Sequence, residues 1–232
     1  MLIFAHRGAS ADAPENTLLA IDKALEQQAD GIEIDVQQHQ GELLVIHDHW
    51  LHRTTNGLGQ LQDYTLDQLQ QFDAGAGQTI PTLWQVMTRV AGQCMVNIEL
   101  KGVQDVSLVL GLIEKAQSTL GFTPRQFIVS SFDHHLLRNI KQRQPALQIG
   151  ALTASKPLDY AAFATALDAY SVNVDVTFLD HEFVFDAKRR GLKIFVYTVD
   201  EATDLLRLQS WQVDGVFSNA PGKARQILAN QL

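Results

Sequence analysis

The sequence predicts an α/β protein with a single domain, a (β/α)8 TIM barrel that carries a small insertion after its second strand. Two observations favour this fold. Eight short apolar segments rich in β-branched residues alternate with eight amphipathic segments along the 232 residues. The series begins with a strand and ends with a helix, as expected for a closed barrel of consecutive β–α units.

The predicted strands are 2–5, 32–36, 94–100, 126–131, 147–151, 168–174, 193–198 and 213–217. The predicted helices are 16–28, 82–91, 104–119, 133–143, 157–167, 181–190, 200–209 and 221–231. Asn16 and Pro221 are residue types that begin helices. Gly121 and Gly191 stand where a helix end favours a left-handed residue.

A doubly wound sheet is the main alternative among α/β folds. It usually has fewer strands for this length and a first turn of the G-x-G-x-x-G type. The first turn of this chain reads HRGAS (His6–Ser10) and lacks that spacing. Since no linker rich in Pro, Gly or Ser divides the chain, we expect one domain over residues 1–232.

One segment, residues 49–81, is longer than the β–α repeat requires. It contains a turn signal at Asn56-Gly57 and a short helix signal from Thr65. An insertion that follows the carboxyl end of a barrel strand lies over the barrel mouth, where active sites are built. We therefore expect residues 49–81 to form a lid, a specificity element or a structural buttress at the mouth.

The bulk composition excludes several kinds of partner. A formal net charge of −8 argues against nucleic acid, whose binding requires a basic face. No apolar run approaches the roughly 18 residues of a membrane span, and the apolar segment 1–5 is too short for a signal peptide. The single cysteine, Cys94, cannot form an internal disulfide and is expected to be buried. We expect a cytoplasmic protein with no membrane partner.

Acidic residues lie two apart on the predicted second and third strands. Glu33 and Asp35 share one face of strand 32–36, because residues i and i+2 of a strand point the same way. The same spacing places Glu99 and Lys101 on one face at the end of the third strand. Taken alone, the first pair could be a solvated acidic face and the second a salt bridge.

Two histidines lie near the same strand ends. His6-Arg7 ends the first strand, and a second apolar run after the second strand leads to His47-Asp48. Taken alone, His6-Arg7 could be an ordinary loop pair. Because three consecutive barrel strands send these groups to one rim, and because unpaired buried charges are costly, the convergence indicates bound ligands.

The residue types define the chemistry that such a rim could perform. Three carboxylates (Glu33, Asp35 and Glu99) offer oxygen ligands suited to a hard divalent cation, Mg²⁺ or Ca²⁺. Arg7 and Lys101 add positive charge that a metal does not need, so the ligand should be an anion such as phosphate. Two imidazoles, those of His6 and His47, could serve as general acid and general base. Together these groups indicate phosphodiester hydrolysis.

At this point the chain resembles the glycerophosphodiester phosphodiesterase family, in its bacterial cytoplasmic type. The matching motifs are HRGAS, PENT (Pro14–Thr17), GIEIDV (Gly31–Val36), HD (His47-Asp48) and NIELK (Asn97–Lys101). They occur in the family's order, and a weaker similarity runs through YTVD (Tyr197–Asp200) to the end of the chain. The combination is specific, although no single motif is.

The resemblance implies a TIM-barrel enzyme that hydrolyses deacylated phospholipids to sn-glycerol 3-phosphate and an alcohol, a step of glycerol and lipid metabolism. It implies a metal site formed by Glu33, Asp35 and Glu99. It also implies that His6 and His47 are the acid–base pair. It also implies that Arg7 and Lys101 hold the phosphate, that Glu15 orients site groups or contacts the ligand, and that Asp48 orients a neighbour. The glycerol 2-hydroxyl would attack first, through a cyclic phosphate that water opens.

This chain departs from the family pattern at two places. The family often has Trp-Thr-Val-Asn where this chain has Tyr197-Thr198-Val199-Asp200. It often has Thr-Asp-x-Pro where this chain has Ser218-Asn219-Ala220-Pro221. We expect these departures to affect contacts to the head group or the glycerol rather than the catalytic set.

Other functions are possible for the same barrel. A lysophospholipid-type diester would need an apolar groove, and the insertion 49–81 is polar. A silent barrel that binds phosphorylated metabolites would normally lack a histidine or a carboxylate of the set. A metal-dependent sugar isomerase or an aldolase has no evident need for both Arg7 and Lys101. The sequence leaves open the head group, the ion, the division of labour between the histidines, and the oligomeric state.

Overall fold

The computed structural model describes residues 1–230, and its centre is a closed barrel of parallel strands. The strands are β1 (Leu2–His6), β2 (Gly31–His39), β3 (Glu42–Val45), β4 (Met95–Gly102), β5 (Phe127–Ser131), β6 (Gln148–Thr153), β7 (Ser171–Asp175), β8 (Lys193–Tyr197) and β9 (Gly215–Ser218). Eight of these, all but β3, pair side by side in parallel, and β1 closes the barrel by pairing with both β9 and β2. The predicted (β/α)8 barrel with a single domain is confirmed.

The helices lie between the barrel strands. They are α1 (Leu18–Glu26), α2 (Leu66–Leu69), α3 (Leu83–Val90), α4 (Val106–Thr119), α5 (His134–Arg143), α6 (Ala162–Ala166), α7 (His181–Arg189), α8 (Ala202–Ser210) and α9 (Pro221–Ala229). Within residues 1–230, none of these helices has the length and apolarity needed to cross a bilayer. The prediction for the last helix extends to residue 231, which lies outside the described residues.

The barrel interior is filled by aromatic side chains from several strands. Phe4, Phe195 and Phe217 are at most 2% exposed, and the Phe4 ring centroid lies 5.3 Å from that of Phe195 and 5.2 Å from that of Phe217. Gly31 makes room for this layer, because a Cβ there would lie 2.4 Å from the Phe4 ring. A larger apolar cluster packs the helices onto the outside of the strands.

The segment after β2 is built around a core of its own. β3 runs antiparallel to the end of β2, and its Leu44 packs with residues of the insertion such as Leu51 and Leu69. The short helix predicted from Thr65 is present as α2, capped by the Thr65 side chain. The insertion is therefore a packed unit rather than a loose loop.

Two predicted helix boundaries were wrong for local reasons. Thr17, not Asn16, caps α1 by accepting a hydrogen bond from the backbone of Ala20, and Asn16 lies in a left-handed conformation with φ +58°. The predicted helix 157–167 shortens to α6 because Tyr160 adopts φ +47°, which interrupts helical geometry. The two glycines predicted at helix ends, Gly121 and Gly191, have φ values of +78° and +77° and follow helix ends as predicted.

Candidate active site

The register of the first strands sets the layout of the site. In the parallel pairing, His6 of β1 lies beside Glu33 of β2, and Asp35 of β2 lies beside Glu99 of β4. Adjacent parallel strands carry their ends to the same rim of the barrel, so residues far apart in sequence become neighbours. Lys101 follows two residues after Glu99, near the end of the same strand.

Three buried carboxylates form a cluster at this rim. Oxygen atoms of Glu33, Asp35 and Glu99 lie within 4.8 Å of one another, and the three residues are 2%, 1% and 8% exposed. Burial and then the neighbouring carboxylates raise the pKa of Glu33 well above its ordinary value. Burial and the charge of Asp35 likewise raise the pKa of Glu99. This acidic triad could bind a metal ion.

Two cations lie against the triad. The guanidinium Nε of Arg7 is 3.1 Å from Asp35, and the Arg7 backbone N–H donates to Glu33 at 2.9 Å. Lys101 pairs with Glu99, and its Nζ is 3.4 Å from Asp35. Burial opposes the charge on both cations, but the adjacent carboxylates outweigh it, and the pKa values of Arg7 and Lys101 are raised. Both cations are therefore charged at neutral pH.

The turn after β1 aims Arg7 at the triad. Arg7 and Gly8 have φ values of +59° and +79°, in the left-handed region, and the Arg7 N–H at this turn donates to Glu33. Gly8 cannot be replaced without strain, since a Cβ there would lie 2.7 Å from the backbone of Ala20. The glycine of HRGAS thus serves a close approach between the turn and α1.

His6, near the start of the chain, is held by a residue near its end. Its Nδ1 lies 2.8 Å from Oδ1 of Asn219, directly after β9. Burial, followed by the charge of Arg7, lowers the pKa of His6 below its ordinary 6.5. The imidazole is therefore neutral at pH 7.

His47 has a different environment. Its Nδ1 lies 2.6 Å from Asp48, and the other oxygen of Asp48 accepts a hydrogen bond from Arg53. Arg53 binds Glu15 with both of its terminal nitrogens, at 2.8 and 2.9 Å, and Glu15 accepts from Arg7 at 2.8 Å. A continuous chain of side-chain contacts therefore joins His47 to Arg7.

Two residues that contact this site, Arg53 and Asn16, were not predicted from the sequence to belong to it. Arg53 lies in the insertion, outside every motif, and only the packing of that segment brings it to Asp48 and Glu15. Asn16 was interpreted as a helix cap, but its amide donates to Asp35 at 2.9 Å and accepts from the Asp35 backbone at 3.2 Å. Its position in PENT, next to Glu15, is the signal that could have identified it.

The predicted site residues divide into one network and one separate contact. Arg7, Glu15, Glu33, Asp35, Glu99 and Lys101 are joined by direct contacts or by the triad, and His47 connects to them through Asp48 and Arg53. His6 binds Asn219 instead.

Cys94 is buried as expected, and burial followed by the charge of Asp30 raises the pKa of its thiol to about 12.

The family model named Glycerophosphoryl diester phosphodiesterase family matches residues 6–223, which include this whole site. The chain belongs to this family. The family predicted from the motifs is thereby confirmed, and with it the enzyme class, a phosphoric diester hydrolase.

Relatives in this family cover nearly the whole chain. A glycerophosphodiester phosphodiesterase of Caldanaerobacter subterraneus subsp. tengcongensis is 39% identical, over 95% of this chain and 94% of its own length. One of Bacillus subtilis is 33% identical, over 95% of this chain and 84% of its own. An Oleispira antarctica phosphodiesterase, solved with the product sn-glycerol-3-phosphate, superposes with a TM-score of 0.89 at 28% identity, covering 99% of this chain and 97% of its own.

Proposed function

We propose that this enzyme hydrolyses glycerophosphodiesters, the deacylated phospholipids, to sn-glycerol 3-phosphate and an alcohol. We propose that it does so with one divalent cation, Mg²⁺ or Ca²⁺, and with His6 and His47 as an acid–base pair. The observation that carries the proposal is the buried triad of carboxylates with Arg7 and Lys101 against it. The product bound to the Oleispira antarctica relative supports the same reaction.

The donor set fits a hard cation. All three ligands offer oxygen, and Glu33 Oε1 is buried with no hydrogen-bond partner among residues 1–230. A buried oxygen of this kind is costly unless something binds it, and a cation would also relieve the repulsion that raises the pKa of Glu33. When bound, a divalent ion polarises the phosphoryl oxygens and offsets the charge that builds up on them.

Arg7 and Lys101 are proposed to bind the phosphate. Each already contacts Asp35, so both cations face the place where the triad would meet a phosphoryl group. Arginine offers a planar fork to oxyanions, and lysine a point charge. Glu15 is proposed to assist substrate binding through Arg7, whose Nη1 donates to it at 2.8 Å.

The two histidines have different partners, and this suggests a division of roles. His6 has a lowered pKa and a neutral amide beside it, so we propose that it accepts the proton of the attacking hydroxyl. His47 has the carboxylate of Asp48 against its Nδ1, which orients the ring, so we propose that it donates a proton to the leaving alkoxide. The P–O bond to the glycerol 2-hydroxyl forms as the P–O bond to the alcohol breaks, and water then opens the resulting cyclic phosphate to sn-glycerol 3-phosphate.

The insertion 49–81 is proposed to border the barrel mouth. Arg53 supports this, because it connects the packed insertion to Glu15 and Asp48 at the site. Its polar composition favours a small hydrophilic substrate over a lipid. A cytoplasmic location is proposed from the unpaired, buried Cys94.

The test is a coupled assay for released sn-glycerol 3-phosphate from several glycerophosphodiesters, with and without a chelator. We expect His6→Ala and His47→Ala to reduce the rate about 10²- to 10⁴-fold, the usual scale for a positioned acid or base. His135→Ala, an exposed histidine on α5, is the matched control and should retain activity. Turnover near that of the parent in both site variants, or activity that survives thorough chelation, would contradict the acid–base and metal assignments respectively.

A further inference from the structure

We propose that Asp200 and Asn219 form a positioning pair that fixes the tautomer and orientation of the His6 ring. Asp200 lies three positions after the end of β8 and Asn219 directly follows β9, and neither residue belongs to the metal or acid–base set proposed above. The inference depends on the proposed function only in that His6 takes part in proton transfer.

Asp200 holds the Asn219 side chain in one orientation. Its carboxylate accepts from Nδ2 of Asn219 at 2.6 Å, from the Asn219 backbone N–H at 2.8 Å and from the hydroxyl of Ser218 at 2.8 Å. A carboxylate only accepts hydrogen bonds, so the NH2 end of the amide must face it. The oxygen of Asn219 therefore faces His6.

The amide oxygen in turn determines the His6 tautomer. Oδ1 of Asn219 lies 2.8 Å from Nδ1 of His6 and can only accept, so Nδ1 carries the hydrogen. In a neutral imidazole this leaves Nε2 as the unprotonated nitrogen, the one that can take a proton. If the amide were flipped, its NH2 group would lie against His6 and select the other tautomer.

Ser10 adds a second restraint on the same oxygen. Its hydroxyl lies 2.8 Å from Oδ1 of Asn219 and 2.8 Å from the backbone carbonyl of His6. It thus connects the end of β1 with the end of β9. These contacts place the His6 ring between two strand ends of the barrel.

The two residues of the pair are also two of the four positions at which this chain departs from the family pattern, the others being Tyr197 and Ser218. The family often has an amide where this chain has Asp200, and a carboxylate where this chain has Asn219. Because the two side chains contact each other, the departures amount to an exchange that keeps one carboxylate and one amide together. Two carboxylates or two amides at these positions would lose the charge-assisted hydrogen bond.

This exchange defines the variants for the test. Asp200→Asn leaves two amides, so the Asn219 side chain can turn and both His6 tautomers become populated. Asn219→Asp places two carboxylates in contact. In the double variant, the amide at position 200 can accept from the residue 219 backbone and from Ser218 while it donates to the carboxylate at position 219. That carboxylate can still accept from His6, so the double variant restores every contact.

The first readout is the ¹⁵N chemical shifts of the His6 ring in the Mg²⁺-loaded protein, assigned by comparison with His6→Ala. We expect a protonated Nδ1 in the parent and in the double variant, and a mixture in Asp200→Asn. The second readout is steady-state kinetics. Asp200→Asn should lower kcat about 10- to 100-fold with little change in KM, the scale seen for residues that orient a functional histidine. The double variant should recover to within about fivefold of the parent.

Asp180→Asn is the matched control, because it removes one charge from a helix cap where asparagine caps equally well. Thermal melting of every variant separates misfolding from mispositioning. A parent His6 protonated at Nε2, or an Asp200→Asn variant with an unchanged tautomer, would overturn the pairing. A changed tautomer with unchanged kcat would support the pairing and instead refute the catalytic role of His6.

Discussion

Replacing Glu33 by glutamine should make the metal-free protein more stable while it abolishes the response to metal. The introduced amide would have nearly the shape of the carboxylate and could still accept the Arg7 N–H that Glu33 accepts at 2.9 Å. It would lack the charge that repels Asp35 and Glu99. The substitution therefore isolates the electrostatic cost of the triad from its packing.

The size of the effect follows from the spacing of the carboxylates. Two unit charges 4.8 Å apart repel by about 3.5 kcal/mol at an effective dielectric constant of about 20. Glu33 has two such neighbours, and Arg7 offsets part of the repulsion. We expect a net gain of about 1–3 kcal/mol, which corresponds to a melting temperature about 3–9 °C higher for a chain of this size.

The pH dependence of this gain has a definite sign. The folded-state pKa of Glu33 is raised, so proton uptake stabilises the parent at low pH, and this stabilisation is lost as pH rises through the raised value. The advantage of Glu33→Gln over the parent should therefore grow with pH. At low pH, where the parent carboxyl is protonated, the two proteins should converge.

The assay is thermal unfolding of chelator-treated protein, repeated with Mg²⁺ or Ca²⁺. A ligand at 100 times its dissociation constant stabilises the parent by about 2.7 kcal/mol. Glu33→Gln should show little of this shift, and Glu114→Gln, on an exposed face of α4, should show all of it. A metal-free variant less stable than the parent, or one with an undiminished metal shift, would refute the reasoning.

Three further predictions concern the proton-transfer groups and the barrel core. Arg53→Gln should lower kcat/KM about tenfold, which corresponds to about 1.4 kcal/mol, because Asp48 and Glu15 lose their common partner. Arg125→Gln, at an exposed position, is the control, and an equal loss of kcat/KM in both variants would contradict the prediction. If His6 accepts the proton, its lowered pKa places the acid limb of the kcat/KM profile below pH 6.5, and a limb above that value would count against the assignment. Phe4→Ala should lower the free energy of unfolding by about 3–5 kcal/mol, the usual cost of removing a buried phenylalanine, as measured by denaturant unfolding. Because the ring packs in the barrel interior away from the rim, kcat should be unchanged below the unfolding transition. A loss under about 1 kcal/mol would argue against this packing.

Local patterns were enough to predict the barrel and the charged residues of its rim. The period of two in strand 32–36 places Glu33 and Asp35 on one face whatever the rest of the chain does. The order of eight strands and eight helices then leaves few topologies, because eight consecutive β–α units in a chain of this length favour a closed barrel over a doubly wound sheet. Helix boundaries were less predictable, since Asn16 and Tyr160 adopt left-handed conformations that their residue types do not require.

By itself, the sequence determined the fold class, the family and the residue types that meet at one rim, because these depend on periodicity and on motifs within single elements. Only the tertiary structure decided which groups orient them. Arg53 reaches Glu15 across 38 positions, and Asn219 reaches His6 across 213. Such contacts depend on barrel closure and on the packing of the insertion, and no local pattern in the chain encodes either distance.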